Sequence, residues 1–255
     1  MEQTIITMKK EIKLNDPILV VGLPGIGNVG KLVAETLKKQ LKPERIATLY
    51  SPHFPHQVVM LKSGSIRLVG NRFYLIRKKG AKNDIVLLTG ETQAITPEGQ
   101  YEVNSKIVDF FVDRLKGKFI YTLGGYSVQR DIKSAPRVYA NATSKALIKK
   151  FKGTNLIFGK SRGMIWGSAG MILVFGRMKG VQGVCIMGET SILDVDATAA
   201  KAVIQELSKL LNLEINTQNL DKLIEKTAES IKELEKQATG FAPPSGSEQR
   251  PSYIR

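Results

Sequence analysis

The chain has 255 residues, enough to bury a sizeable core, and its 42% hydrophobic and 24% charged content is that of a globular protein in water. Its net charge of +15 sits in the first two thirds: residues 1–80 carry 14 Lys/Arg against 5 Asp/Glu, and residues 81–160 carry 13 against 7. No apolar run approaches the roughly 20 residues of a bilayer span, and the lone cysteine, Cys185, excludes an intramolecular disulfide.

Met1–Leu14 lacks a basic start followed by an apolar block and a small-residue cleavage site, so a cytoplasmic protein is expected. Pro17–Val21 (PILVV) reads as a buried strand entering a glycine turn. From Val29 the apolar spacing Val29, Leu32, Val33, Leu37 is that of a helix face. Arg45–Tyr50 is a second strand. Gln57–Leu61 and Ile66–Val69 flank Lys62-Ser63-Gly64-Ser65 as a hairpin, which Arg72–Ile76 extends and which makes the sheet mixed.

Further strands are expected at Asp84–Thr89, Phe119–Leu123, Asn155–Phe158 and Val184–Met187, and helices at 98–115, Ser144–Phe151, Ser168–Phe175 and Ala197–Leu211. Strand, glycine turn and helix in repetition predict an α/β fold with a mixed, largely parallel sheet flanked by helices. No internal repeat is evident. Residues 1–215 form the expected core domain and 216–239 a C-terminal helix. Within it Leu220, Ile224, Ile231 and Leu234 are spaced as a coiled-coil seam, which packs either on its own domain or on another subunit. Residues 240–255, rich in Pro, Ser and Gly, are expected to be a flexible tail.

Gly25, Gly27 and Gly30 match the glycine fingerprint of dinucleotide-binding turns, and Gly25 to Lys31 matches the P-loop up to its last letter. Both signatures are incomplete. No acidic residue closes the second strand to take ribose hydroxyls, since Glu44 stands at its wrong end. Leu32 occupies the place of the magnesium-ligating Ser or Thr. The glycines then serve a tight turn and close helix–sheet packing, and ligand binding through Gly25, Gly27, Gly30 and Lys31 is the alternative reading.

His53 and His56 are the only histidines, with no cysteine or carboxylate motif to complete a metal site. Asp194 and Asp196 read as helix N-terminal residues, with Asp196 capping the helix from Ala197. No catalytic constellation, metal or cofactor is expected. The basic first two thirds would attract a polyanion or an acidic protein surface, or form a lysine-rich solvated exterior. Arg72 and Arg77-Lys78-Lys79 beside Phe73 and Tyr74 do not make a nucleic-acid module, so nucleic acid is not an expected partner.

Five stretches in order, GLPGIGNVGKLVAETL (22–37), LLTGETQ (87–93), FIYTLGGYSV (119–128), GSAGMIL (167–173) and MGETSILDVDATAA (187–200), resemble the proteasome assembly chaperone 2 family in its archaeal branch. The resemblance covers roughly residues 15–215. It implies a fold like that of purine nucleoside phosphorylases, no enzymatic reaction, a homo-oligomer, and binding to the α-ring of the proteasome core particle. In that family docking is associated with a C-terminal hydrophobic-Tyr-any tripeptide. Here the chain ends Tyr253-Ile254-Arg255, with Tyr253 at the hydrophobic place and Ile254 at that of the tyrosine.

Overall fold

The computed structural model describes residues 1–78, 80–130, 132, 134–160, 163–191, 194–227 and 229. In chain order the main elements are β1 (Ile5–Met8), β2 (Ile18–Gly22), α1 (Val29–Leu41), β3 (Glu44–Tyr50), β4 (Val58–Met60), β5 (Ile66–Leu68), β6 (Asn71–Ile76) and β7 (Ile85–Gly90). There follow α2 (Pro97–Asp109), β8 (Phe119–Ser127), β9 (Val138–Ala142), α3 (Lys145–Ile148), β10 (Ile157–Phe158), α4 (Ser168–Met178), β11 (Gln182–Thr190) and α5 (Ala197–Leu211). A π-helical turn, Phe110–Arg114, continues α2, so the expected 98–115 helix is present with its last turn widened.

Nine strands form one mixed sheet in the order β1-β3-β6-β7-β2-β8-β11-β9-β10. The central strands β7, β2, β8 and β11 run parallel, while β1, β3, β6 and β7 pair antiparallel, as do β11 and β9. The sheet is therefore mixed as expected, with parallel pairing at its centre and between β9 and β10 at one edge, and antiparallel pairing elsewhere. The hairpin differs from expectation as well. β4 and β5 form a separate two-stranded sheet, and β6 leaves them to pair with β3 and β7. The strands β1 and β9 were not foreseen.

The central strands are buried on both faces, which is why they read as unbroken apolar runs. Along β2, Leu19 and Val21 point to one core and Val20 to the other, and β7 does the same with Val86, Leu88 and Leu87. One core lies under α2 and α4 through Val103, Ile107, Ile172 and Leu173. The other lies under α1, α3 and α5 through Val33, Leu37, Leu147, Val203 and Leu207.

The described chain continues past α5 as a helix at 218–227. Leu220 is buried in the core under α1 and α5, and Ile224 packs partly against it. A Lys201–Asp221 ion pair at 2.5 Å holds the segment to α5. Half of the expected seam thus has a partner within its own chain; Ile231 and Leu234, and the tail residues Tyr253, Ile254 and Arg255, lie outside the described residues.

Candidate functional site

The strand order reverses at β2: the chain next pairs β7 on one side of it and, after α2, β8 on the other. In open α/β sheets the crevice beyond the carboxyl ends at such a point is the usual ligand position. A cavity of about 620 Å³ opens there, bounded by Gly25 and Ile26 after β2, Gln93 after β7, Gly125 to Ser127 of β8, Met187 of β11 and the loop 163–167 before α4. Among the described residues its lining carries no lysine, arginine, histidine or carboxylate.

The glycine turn is sewn down on both sides of this cavity. Gly27 takes φ +60°, a left-handed conformation that suits glycine, and its carbonyl accepts from the Asp196 N–H at 2.8 Å. The Asn28 amide donates to the Asp194 carbonyl at 2.9 Å. Gln93 bridges the cavity floor: its Nε2 donates to the Pro24 carbonyl, and its Oε1 accepts from the Ser168 N–H at 2.8 Å, satisfying an otherwise orphaned donor of α4.

Of the four residues in the ligand-binding reading, the structure brings only Gly25 to the cavity. Gly27 is buried in the turn, Gly30 packs on β8, and Lys31 is not among the lining residues. An uncharged lining offers no counter-charge for a phosphate.

Two identical tripeptides, Gly90-Glu91-Thr92 and Gly188-Glu189-Thr190, occupy the carboxyl ends of β7 and β11. Neither glutamate is a free acid or base. Glu91 accepts from Arg67 (2.9 and 3.2 Å), from Arg72 (2.7 Å) and from the Gly70 N–H (3.2 Å). Burial pushes its carboxyl up, but these donors outweigh burial and hold it down at about 2. Glu189, almost fully buried, accepts from Arg137 Nε at 3.1 Å and from Arg130 at 2.6 Å. The hydrogen bond from Arg137 is the chief cause that keeps it below the usual carboxylate range.

Both words were visible in the sequence; their arginine partners, 19 or more positions away, were not. Because the folded value of Glu91 lies below its ordinary 4.5, its pairs stabilise fully above about pH 4.5 and fade toward pH 2. Glu91→Gln should therefore lose less stability than the parent between pH 7 and pH 3. The expected difference in urea unfolding is about 1 kcal/mol, after allowance for solvent screening.

Ser51, His53 and Glu102 also meet, but not as a relay. Ser51 Oγ accepts from the His53 backbone N–H at 3.1 Å, while the His53 ring pairs with Glu102 at 2.8 Å. Hydrogen bonds from Thr4 and His53 hold Glu102 at about 2. His53 thus ties the end of β3 to α2, and among the described residues no group of three His, Cys, Asp or Glu could hold a metal ion. Cys185 is fully buried, and desolvation raises its thiol to about 11, too high for a nucleophile at neutral pH. No helix among the described residues is long and apolar enough to cross a membrane.

A family model described as the PAC2 family matches residues 19–235. An uncharacterized protein of Methanocaldococcus jannaschii is 39% identical over 249 residues, covering 94% of this chain and 95% of that protein. The crystal structure of PbaB from Pyrococcus furiosus, described as an archaeal proteasome activator, superposes with a TM-score of 0.86 at 37% identity, over 92% of this chain and 100% of that one. PbaA from the same organism, described as an archaeal homolog of proteasome-assembly chaperone, shares the fold with a TM-score of 0.77 at 22% identity, over 94% of each chain.

Proposed function

Because the chain belongs to the PAC2 family, we propose that it is a non-enzymatic proteasome-assembly-chaperone homologue, which self-associates and binds the α-ring of the proteasome core particle. The observation that carries the reading is the likeness, over 92% of this chain, to the Pyrococcus protein described as an archaeal proteasome activator. A cavity without charged lining and glutamates already committed to arginines favour binding over catalysis. The C-terminal residues Tyr253, Ile254 and Arg255 supply an aromatic side chain, an aliphatic one and a carboxylate, the chemistry of a terminal peptide anchor. If the ring surface is acidic, the positive charge of the first two thirds adds a salt-sensitive on-rate.

Surface plasmon resonance on immobilised archaeal core particles tests this. The full chain should bind saturably, and deleting Tyr253–Arg255 should weaken binding at least tenfold without changing the fold. No binding by the full chain sinks the proposal. Equal binding by the truncated chain moves docking away from the tail. Micromolar ATP binding in magnesium buffer, abolished by Lys31→Ala, would restore the nucleotide reading of the glycine loop.

A further inference from the structure

Helix α4 is apolar almost all round. Its sequence, SAGMILVFGRM, contains one charged residue, Arg177. A helix of that kind belongs inside a larger body. Ile172 and Leu173 do face the core under α2 and α4, but Val174 and Met178, one turn apart, face outward. The outward faces of the other long helices behave differently: α1 shows Lys39, and α5 shows Gln205 and Lys209.

The apolar strip does not end with the helix. Tyr101 of α2 stands 6.0 Å from the Phe175 ring, and the loop before α4 presents Met164 and Trp166. Exposures are 57% for Val174, 77% for Met178, 64% for Tyr101, 76% for Met164 and 75% for Trp166. Beside the strip, between α4 and β9, runs a groove of about 510 Å³ whose walls include Ala142, Val174, Phe175 and, at one end of the helix, Arg177.

We propose that this face of α4, with Tyr101 and the 163–167 loop, is the surface through which two copies of the chain associate. It deepens the self-association part of the function proposed above. The five side chains together expose roughly 600–700 Å², near the about 800 Å² that each partner of a stable interface covers and above the patch an ordinary monomer shows. A two-fold axis lays the apolar side chains of α4 against their own copies, and the one charged residue of the helix, Arg177, stands exposed beside Met178 at its C-terminal end, where a long side chain can keep its charge in water at the rim.

Light scattering after gel filtration, on the full chain alone, tests the surface. The parent should run at twice 28.1 kDa or a higher multiple. The double variant Val174→Glu, Met178→Glu should fall to half that mass or less, with an unchanged circular dichroism spectrum. Met60→Glu, on the separate β4–β5 hairpin, should leave the mass alone. A monomeric parent, an unchanged mass in the double variant, or a mass lost on Met60→Glu instead, each overturns the proposal. Should the double variant fail to fold, Val174→Cys decides, since Cys185 is buried and cannot compete. A disulfide-linked dimer on mild oxidation supports the interface, and its absence overturns it. Core-particle binding is read separately, so a monomer that still binds the particle would fail here and leave the functional reading standing.

Discussion

Gly30→Val should cost the fold about 3 kcal/mol or more, while Lys31→Ala, its neighbour in the apparent phosphate motif, should stay within about 0.5 kcal/mol of the parent. A Cβ on Gly30 would stand 2.4 Å from the Leu123 carbonyl oxygen and 2.9 Å from its carbon. Both atoms are β8 backbone, so no rotamer change relieves the clash and α1 must move off the sheet. That movement would open the core packed by Val29, Val33 and Leu37, which are fully buried. Urea unfolding of the two variants checks the expectation. A Gly30→Val variant as stable as the parent would mean that α1 does not approach β8 this closely. A large loss on Lys31→Ala would give the lysine a structural role that its half-exposed position on α1 does not suggest.

The same turn shows which features were readable from residue order. The glycines were legible, because a strand running into Gly-rich sequence and then a 3.6-residue period is a local signal. That Gly30 is the point where α1 meets the sheet is decided by β8, about ninety residues later, and no local pattern carries that. The start of α5 was legible for the same reason the loop was not: Asp196 caps through the Ala199 N–H, three residues away. β1 was missed because it is a four-residue edge strand with alternating exposure, followed directly by Lys9 and Lys10. β9 (VYANA) was missed because an asparagine interrupts its apolar run.

β8 was read as ending at Leu123, since Gly124-Gly125 looks like a stop. Its register with β11, from Phe119–Gln182 to Ser127–Thr190, carries the pairing past both glycines. Tertiary pairing overrode local propensity there. The exposed face of α4 was the least legible feature, because a helix with a single charged residue near its end reads as core and only the assembled layers show which side is uncovered.

Asp196→Ala should cost about 2–3 kcal/mol, whereas Asp194→Ala, two residues earlier, should cost under about 0.5 kcal/mol. The Asp196 carboxylate does two things in a buried place. Its Oδ1 accepts from the Ala199 N–H at 2.8 Å, satisfying one of the unpaired donors at the start of α5, and its Oδ2 accepts from the Thr190 hydroxyl at 2.6 Å. Alanine removes both acceptors at once and leaves a helix end and the last residue of β11 without them. Among the described residues Asp194 contributes its backbone carbonyl alone, to Asn28, and a side-chain truncation leaves that bond in place. The two aspartates therefore form no acid–base pair, and the asymmetry separates a cap from a catalytic couple. Asp196→Asn should recover most of the loss. Asparagine caps as well as aspartate does, and the Thr190 hydroxyl can turn round to accept from the new amide. Urea midpoints for the three variants, measured with the helix signal at 222 nm, test this. Equal losses at 194 and 196 would show that both carboxylates hold the loop, and failure of asparagine to rescue would show that the negative charge itself is required at the α5 N-terminus.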